Sequence, residues 1–132
     1  MTVSSTTPRT KGQQLQQILR EFIIRTPEAL MAIAATRDGL SIASVSGDPH
    51  ASGEDALAVA AARILDMAAE VNNQLNQGKI GRILIEGEKK TTIVMAAGRD
   101  IVLIVTVPAD AKLGLAMLSL RNTARQIAHL YR

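Results

Sequence analysis

Residues 29–46, with the sequence ALMAIAATRDGLSIASVS, decide the fold of this chain. Two mostly apolar runs, Ala29–Thr36 and Leu40–Ser46, flank the tripeptide Arg37-Asp38-Gly39. An Asp-Gly pair between such runs is a strong hairpin signal, because the tight turn needs a positive φ that glycine adopts without strain. The stretch therefore predicts two antiparallel strands, which the rest of the chain must cover.

The segment before the hairpin predicts one helix. In Lys11–Arg25 the apolar residues recur three and four positions apart, with glutamines between them. Thr26-Pro27 ends this helix, because the residue before a proline avoids the α region. Residues 1–10 are rich in Ser and Thr and offer almost nothing apolar to bury. We therefore expect a disordered tail at 1–10 and a single domain at 11–132.

The segment after the hairpin predicts a central helix, three strands and a final helix: Ser52–Gln77, Ile80–Glu86, Thr91–Ala97, Ile101–Val107 and Ala111–Tyr131. Ser52 with Asp55 resembles a capping box at the start of the central helix, and Gly78 is expected just after its end. The element order is α-β-β-α-β-β-β-α. It predicts an α+β fold in which a five-stranded, mainly antiparallel sheet is sandwiched by helices.

The central helix has apolar residues on more than one side. One set at helical spacing is expected to pack on the sheet: Leu57, Ala60, Ala61, Ile64, Met67, Ala68, Val71 and Leu75. The opposite side carries small residues that would let another backbone approach: Ala58, Val59, Ala62 and Ala69. With Ile83 and Ile85 of the following strand, an expected sheet edge, they form the predicted homodimer interface. Alternatively, alanine is here only because it is the best helix former.

The few polar residues of the same helix predict a partner-binding surface: Arg63, Asp66, Glu70 and Asn73. Residues 27–76 hold two basic against seven acidic residues, whereas both flanking segments are basic. Complementary charge guides association between proteins. The alternative is that Asp66 and Glu70 keep the helix soluble or pair with Arg63 within it.

Composition excludes several classes of protein. The chain is 47% hydrophobic but only 2% aromatic, so stacking platforms for single-stranded nucleic acid are absent and no nucleic-acid partner is expected. It has no cysteine, which excludes disulfides and thiolate metal sites. No signal-peptide pattern and no run long enough for a membrane span is present. We therefore expect a cytoplasmic protein.

No motif predicts catalysis. His50 and His129 lack a partner at metal-binding spacing, and Gly78-Lys79 is not part of a phosphate loop. Glu86 and Glu88, at a strand end, are not expected to form a catalytic carboxylate pair, and Arg37 is interpreted as an ordinary turn residue and not as an arginine finger. The sequence thus predicts no catalytic residue, no metal and no cofactor, and hence no enzyme.

Three segments resemble the Roadblock family of dynein light chains and bacterial GTPase regulators. They are the hairpin 34–44 (AATRDGLSIAS), the strand 83–87 (ILIEG) and the final helix 111–121 (AKLGLAMLSLR), together with the Ala-rich central helix. The resemblance covers roughly residues 26–131. It implies the element order predicted above and a homodimer in which the central helix and the next strand meet their equivalents.

The resemblance also implies a function. Family members are non-enzymatic, and bacterial and archaeal ones act beside small Ras-like GTPases, some as GTPase-activating partners. It therefore implies a homodimeric regulator or docking platform for such a GTPase. Two alternatives remain open: a structural scaffold subunit of a larger assembly without a GTPase, and a small-molecule sensor on a similar sheet.

Overall fold

The structure is a computed structural model that describes residues 9–47 and 53–132. Its elements are α1 (Lys11–Arg25), β1 (Met31–Thr36), β2 (Ser41–Ser46), α2 (Glu54–Gln74), β3 (Arg82–Glu86), β4 (Lys90–Ala97), β5 (Ile101–Pro108) and α3 (Leu113–Leu130). The predicted element order is confirmed, and the predicted ends differ from these by no more than three residues. Most of the expected tail at 1–10 lies outside the described residues.

The five strands form one antiparallel sheet in the order β2-β1-β5-β4-β3. Strand β5 is central and its residues 101–107 are all buried, as its unbroken apolar sequence predicts. Strands β2 and β3 are the two edges. The expectation that the strand after the central helix lies at an edge is therefore confirmed.

Helices cover both faces of the sheet. Helices α1 and α3 lie side by side on one face, over a core that includes Leu19, Leu103 and Leu120. Helix α2 lies on the other face, where Ala61 and Leu65 pack with apolar residues of β1, β4 and β5. No helix in the described part of the chain is long and apolar enough to cross a membrane.

The ends of α1 and α2 differ from the predicted caps. Thr10, which we assigned to the tail, forms a capping box with Gln13 at the start of α1. Helix α2 has Gly53 at its N-cap without a side-chain bond, and Ser52 lies outside the described residues. Its C-terminus closes at Asn76, with φ of 54°, rather than at Gly78. The amide of the next residue then bonds back into the last turn, as in a Schellman motif.

Candidate protein-interaction surface

Helix α2 uses its small residues to lie on the sheet of its own protomer. Ala58 and Ala62 are at most 6% exposed in the single chain. The prediction that they face a partner is therefore wrong. At its closest approach the helix passes over the β1–β2 turn, where a Cβ added to Gly39 would lie 2.9 Å from the Cα of Val59. Small side chains on α2 permit this close packing. Because Val59 contacts the turn of its own protomer at Gly39, no partner is needed to explain a valine at this position.

Other residues of α2 were expected to pack on the sheet but are exposed. Met67, Val71 and Leu75 lie between 48 and 70% exposed. Together with Ala60 and Ile64 they follow one another at spacings of three and four, so they line one side of the helix. We call this side the apolar flank. Helical spacing shows that a side is apolar, but it does not show which neighbour covers it. Within the described residues, Ile64 is half-buried and the rest of the apolar flank is exposed.

A second exposed side of α2 carries the predicted partner-binding residues Arg63, Asp66, Glu70 and Asn73, and we call it the polar flank. The last three line an open cleft of about 1030 Å³ at the end of the sheet, as does the half-buried Ala69. Arg63 does not line it. The structure therefore brings together three of the four residues that were predicted to bind a partner.

Three basic residues line the same cleft: Arg37, Lys79 and Arg99. They come from the turn after β1, the segment before β3 and the turn before β5. Sequence reasoning missed this group, because their meeting depends on contacts between distant segments that no local pattern reports. The cleft combines charges of both signs with amide side chains, which suits the hydrogen-bonding rim of a protein contact.

Arg37 also has a structural role. Its Nε donates a hydrogen bond to the carbonyl oxygen of Arg99 at 3.0 Å, and its backbone N–H donates to the carbonyl oxygen of Asp100 at 3.2 Å. The side chain is half-buried, although the sequence suggested an exposed position. Arg37 therefore ties the β1–β2 turn to the β4–β5 turn and fixes one wall of the cleft.

The edge strand β3 continues the exposed apolar surface. Ile85 is 42% exposed and Ile83 is half-buried. Ile85 is in register with Thr92, which is in register with Thr106, so these side chains form a row on the face that carries α2. Helix α2 lies mainly over β1, β2 and β5, and Ile83 packs against the core beneath it, which leaves Ile85 less covered than Ile83.

The two edge strands, β2 and β3, differ in how their outer backbone groups are hydrogen-bonded. On β2, the amide of Ser44 donates to Gln16 Oε1 at 3.2 Å, and Gln16 Nε2 donates to the carbonyl oxygen of Ser44 at 2.8 Å. The side chain of Gln16 thus occupies the place that a further strand would take. No side chain of the described residues bonds in this way to the backbone of β3. Unpaired strand edges are templates for pairing with another chain, so β3 is the edge that is open to a partner.

Comparison with known proteins gives a clear family match. A sequence model described as the Roadblock/LC7 domain matches residues 15–107. A comparison with curated proteins found no match.

Several solved structures share this fold. One described as MglB with a tetrameric arrangement is 21% identical, covers 94% of this chain and 92% of its own, and has a TM-score of 0.85. The gliding protein MglB from Thermus thermophilus is 20% identical, with 94% and 93% covered and a TM-score of 0.84. A Roadblock/LC7 domain from Streptomyces avermitilis is 17% identical, with 85% and 92% covered and a TM-score of 0.77.

Proposed function

This chain belongs to the Roadblock/LC7 domain family, and from that premise we propose that it is a non-enzymatic, homodimeric regulator or docking platform for a small Ras-like GTPase. The observation that carries the proposal is the division of the exposed side of α2. An apolar flank without a partner in the described part of the chain lies beside a polar flank on the same helix, next to an open sheet edge.

The apolar flank and β3 support the homodimer. Pairing of β3 with β3 of a second copy would continue the sheet across a two-fold axis and bring the two apolar flanks together. Each fully buried side chain of the size of Met67, Val71 or Leu75 contributes about 1.5–3 kcal/mol. Burial of both sets would offset the loss of translational and rotational freedom on association, which costs about 4–15 kcal/mol.

The proposed interface differs in part from the residues that the sequence suggested. Ile83 and Ile85 of β3 remain in it. Ala58 and Ala62 leave it because the protomer itself buries them. Met67, Val71 and Leu75 enter it because they are exposed. The tetrameric arrangement in the description of a structural relative supports self-association in this fold.

The polar flank and its cleft support the partner site. Asp66, Glu70 and Asn73 share the cleft with three basic side chains, so the surface can meet a partner that presents charges of both signs. Such complementarity sets the association rate and the orientation more than the affinity. That the partner is a small GTPase rests on the family resemblance. Arg63, outside the cleft, would extend the contact along the helix.

The size of the cleft is also compatible with a small molecule, the least favoured of the alternatives. Ligand pockets have volumes of about 300–1,000 Å³, but they are mostly apolar and enclosed. This cleft is open, and its lining mixes the apolar side chains of Ala69, Ile80 and Ala96 with three asparagines and five charged side chains: Asn72, Asn73, Asn76, Arg37, Lys79, Arg99, Asp66 and Glu70. An open cleft with this many charged groups favours a protein contact over a drug-like ligand.

Charge reversal tests the partner site. We expect Asp66→Lys with Glu70→Lys to slow the association of a purified Ras-like GTPase from the same organism, loaded with a GTP analogue, in surface plasmon resonance. Lys89→Glu with Lys90→Glu reverses two exposed charges on the β3–β4 turn and should leave association nearly unchanged. Binding that is equal in both variants would place the GTPase elsewhere. No binding of any such GTPase to the wild type would favour the scaffold alternative.

A further inference from the structure

The helices on the two faces of the sheet carry opposite net charge. Helices α1 and α3 together hold five basic residues against one acidic residue, Glu21. Helix α2, on the other face of the sheet, holds four acidic residues against one basic residue. The proposed dimer and GTPase contacts both lie on the α2 side. The basic side formed by α1 and α3 therefore has no role in the function proposed above.

Helices α1 and α3 run antiparallel, so their outer residues form one surface. At one end the hydroxyls of Thr26 and Ser119 are hydrogen-bonded at 2.9 Å. At the other end the ammonium group of Lys11 lies 5.5 Å from the centre of the Tyr131 ring. These contacts align α1 with the part of α3 that follows Ser119. We call this surface the basic face.

A cleft of about 470 Å³ lies between the two helices on the basic face. Its lining consists of Arg25, Ser119, Asn122, Arg125 and Gln126, all of which carry hydrogen-bond donors and none of which is acidic. Two guanidinium groups and two side-chain amides beside one cleft match the oxygens of a phosphate or carboxylate group. The chemistry of the cleft therefore selects an anion.

Large aliphatic side chains protrude from the same face. Ile24, Leu115 and Leu118 are between 62 and 76% exposed. Leu115 lies about one helical turn before Ser119, and Ile24 is two residues from Thr26, so these two stand near one end of the cleft, whereas Leu118 lies on the β3 side of α3 and lines another cleft with Arg82 and Leu84. Exposed aliphatic side chains of this kind are stabilised when they insert into an apolar layer.

We infer that the basic face binds the surface of an anionic lipid bilayer, with lipid headgroups at Arg25 and Arg125 and with Ile24 and Leu115 in the interfacial region. Clusters of four to eight basic residues on an amphipathic helix favour binding to anionic lipids, and α1 and α3 together carry five. Arginine suits this position because its aliphatic stem lies along apolar surface while the guanidinium stays with the headgroups. Binding here would leave α2 free on the opposite side, where it could still engage a second copy and a GTPase.

Two other anionic partners fit this surface less well. Only electrostatic attraction would contribute to the binding of a duplex nucleic acid, because the protruding aliphatic residues would add no favourable contact. An acidic protein helix would need an apolar groove, whereas these side chains point outward. Both remain outcomes of the test.

Vesicle flotation of the full chain tests the proposal. We expect wild-type protein to float with phosphatidylcholine vesicles that contain phosphatidylserine and not with phosphatidylcholine alone. Each basic residue near such a surface contributes about fivefold in partitioning, so Arg25→Glu with Arg125→Glu should weaken binding by roughly 25-fold or more. Ile24→Ser with Leu115→Ser should weaken it further than a change of charge alone explains. Both pairs are exposed, and circular dichroism would confirm that the variants fold.

The matched control is Lys79→Glu with Arg99→Glu, which makes the same change of charge on the opposite side. It should reduce flotation far less than the basic-face variant. Equal losses would mean that only net charge matters and would overturn the proposal. So would the absence of flotation, or tighter binding to polyglutamate or duplex DNA than to vesicles. The basic-face variant should keep the molecular mass of the wild type in solution, so failure here is distinct from failure of the proposed dimer.

Discussion

The side-chain amide of Gln16, on α1, pairs with both backbone polar groups of Ser44 on the edge strand β2. The two bonds, at 2.8 and 3.2 Å, imitate the pairing that another strand would make. This contact closes one edge of a sheet that has two. It gives a physical reason why association should proceed through β3 and stop at a defined size, since a sheet open at both edges can continue to add strands.

Replacement of Gln16 by leucine tests the closed edge. The variant keeps the size of the side chain but leaves the Ser44 N–H and carbonyl without these partners. Each lost bond costs about 0.5–1.5 kcal/mol, so the free energy of unfolding should fall by about 1–3 kcal/mol in urea titrations. Static light scattering should also show species larger than those of the wild type. Gln17→Leu is the control, because among the described residues the Gln17 side chain bonds to Glu21 on its own helix and to no strand, and it should change neither quantity. A Gln16→Leu protein as stable as the control would show that the contact is dispensable.

A second prediction concerns the start of α1. Thr10→Ala removes the hydroxyl that accepts the Gln13 amide at 3.1 Å. Loss of such a cap costs about 1 kcal/mol of unfolding free energy. Thr10→Ser retains the hydroxyl and should melt close to the wild type. If Thr10→Ala has the same melting temperature as Thr10→Ser and the wild type, the capping box does not contribute to stability.

A third prediction uses two glycines with similar backbone conformations. Gly39 and Gly53 have φ of 91° and 84°, so alanine strains the backbone at either position, by about 1–2 kcal/mol. Only at Gly39 would the new Cβ collide with another helix, at Val59, whereas Gly53 has open space around it. We expect Gly39→Ala to lose about 2–4 kcal/mol and Gly53→Ala about half of that, by chemical denaturation. Equal losses would mean that α2 does not need to approach the β1–β2 turn closely.

Much of the fold could be predicted because local periodicity and turn chemistry specify it. The Asp38-Gly39 pair, the unbroken apolar run 101–107 and the spacing in the helices each report their own element. The cap at Thr10 could also have been predicted, because Thr10 and Gln13 have the spacing of a capping box. It was missed because Thr10 was assigned to the disordered tail.

The surfaces could not be predicted to the same degree. Both the set with Ala58 and Ala62 and the set with Met67 and Val71 have helical spacing, so periodicity alone could not decide which one packs on the sheet. The small residues are the ones that pack on the sheet, because the backbone of α2 passes so close to Gly39. The contact of Gln16 with Ser44 spans 28 residues, and no sequence pattern announces it.

The central claim is that two copies associate through the apolar flank of α2 and the edge of β3. Size-exclusion chromatography with light scattering measures it directly. At micromolar concentration we expect the wild type at twice the chain mass of 14.1 kDa. Met67→Glu with Val71→Glu should return it to 14.1 kDa, because like charges would face their symmetry mates. Ile24→Glu with Leu115→Glu, on the opposite face and away from β3, should remain a dimer. A wild type at 14.1 kDa, or a Met67→Glu/Val71→Glu variant that stays dimeric, would contradict the account.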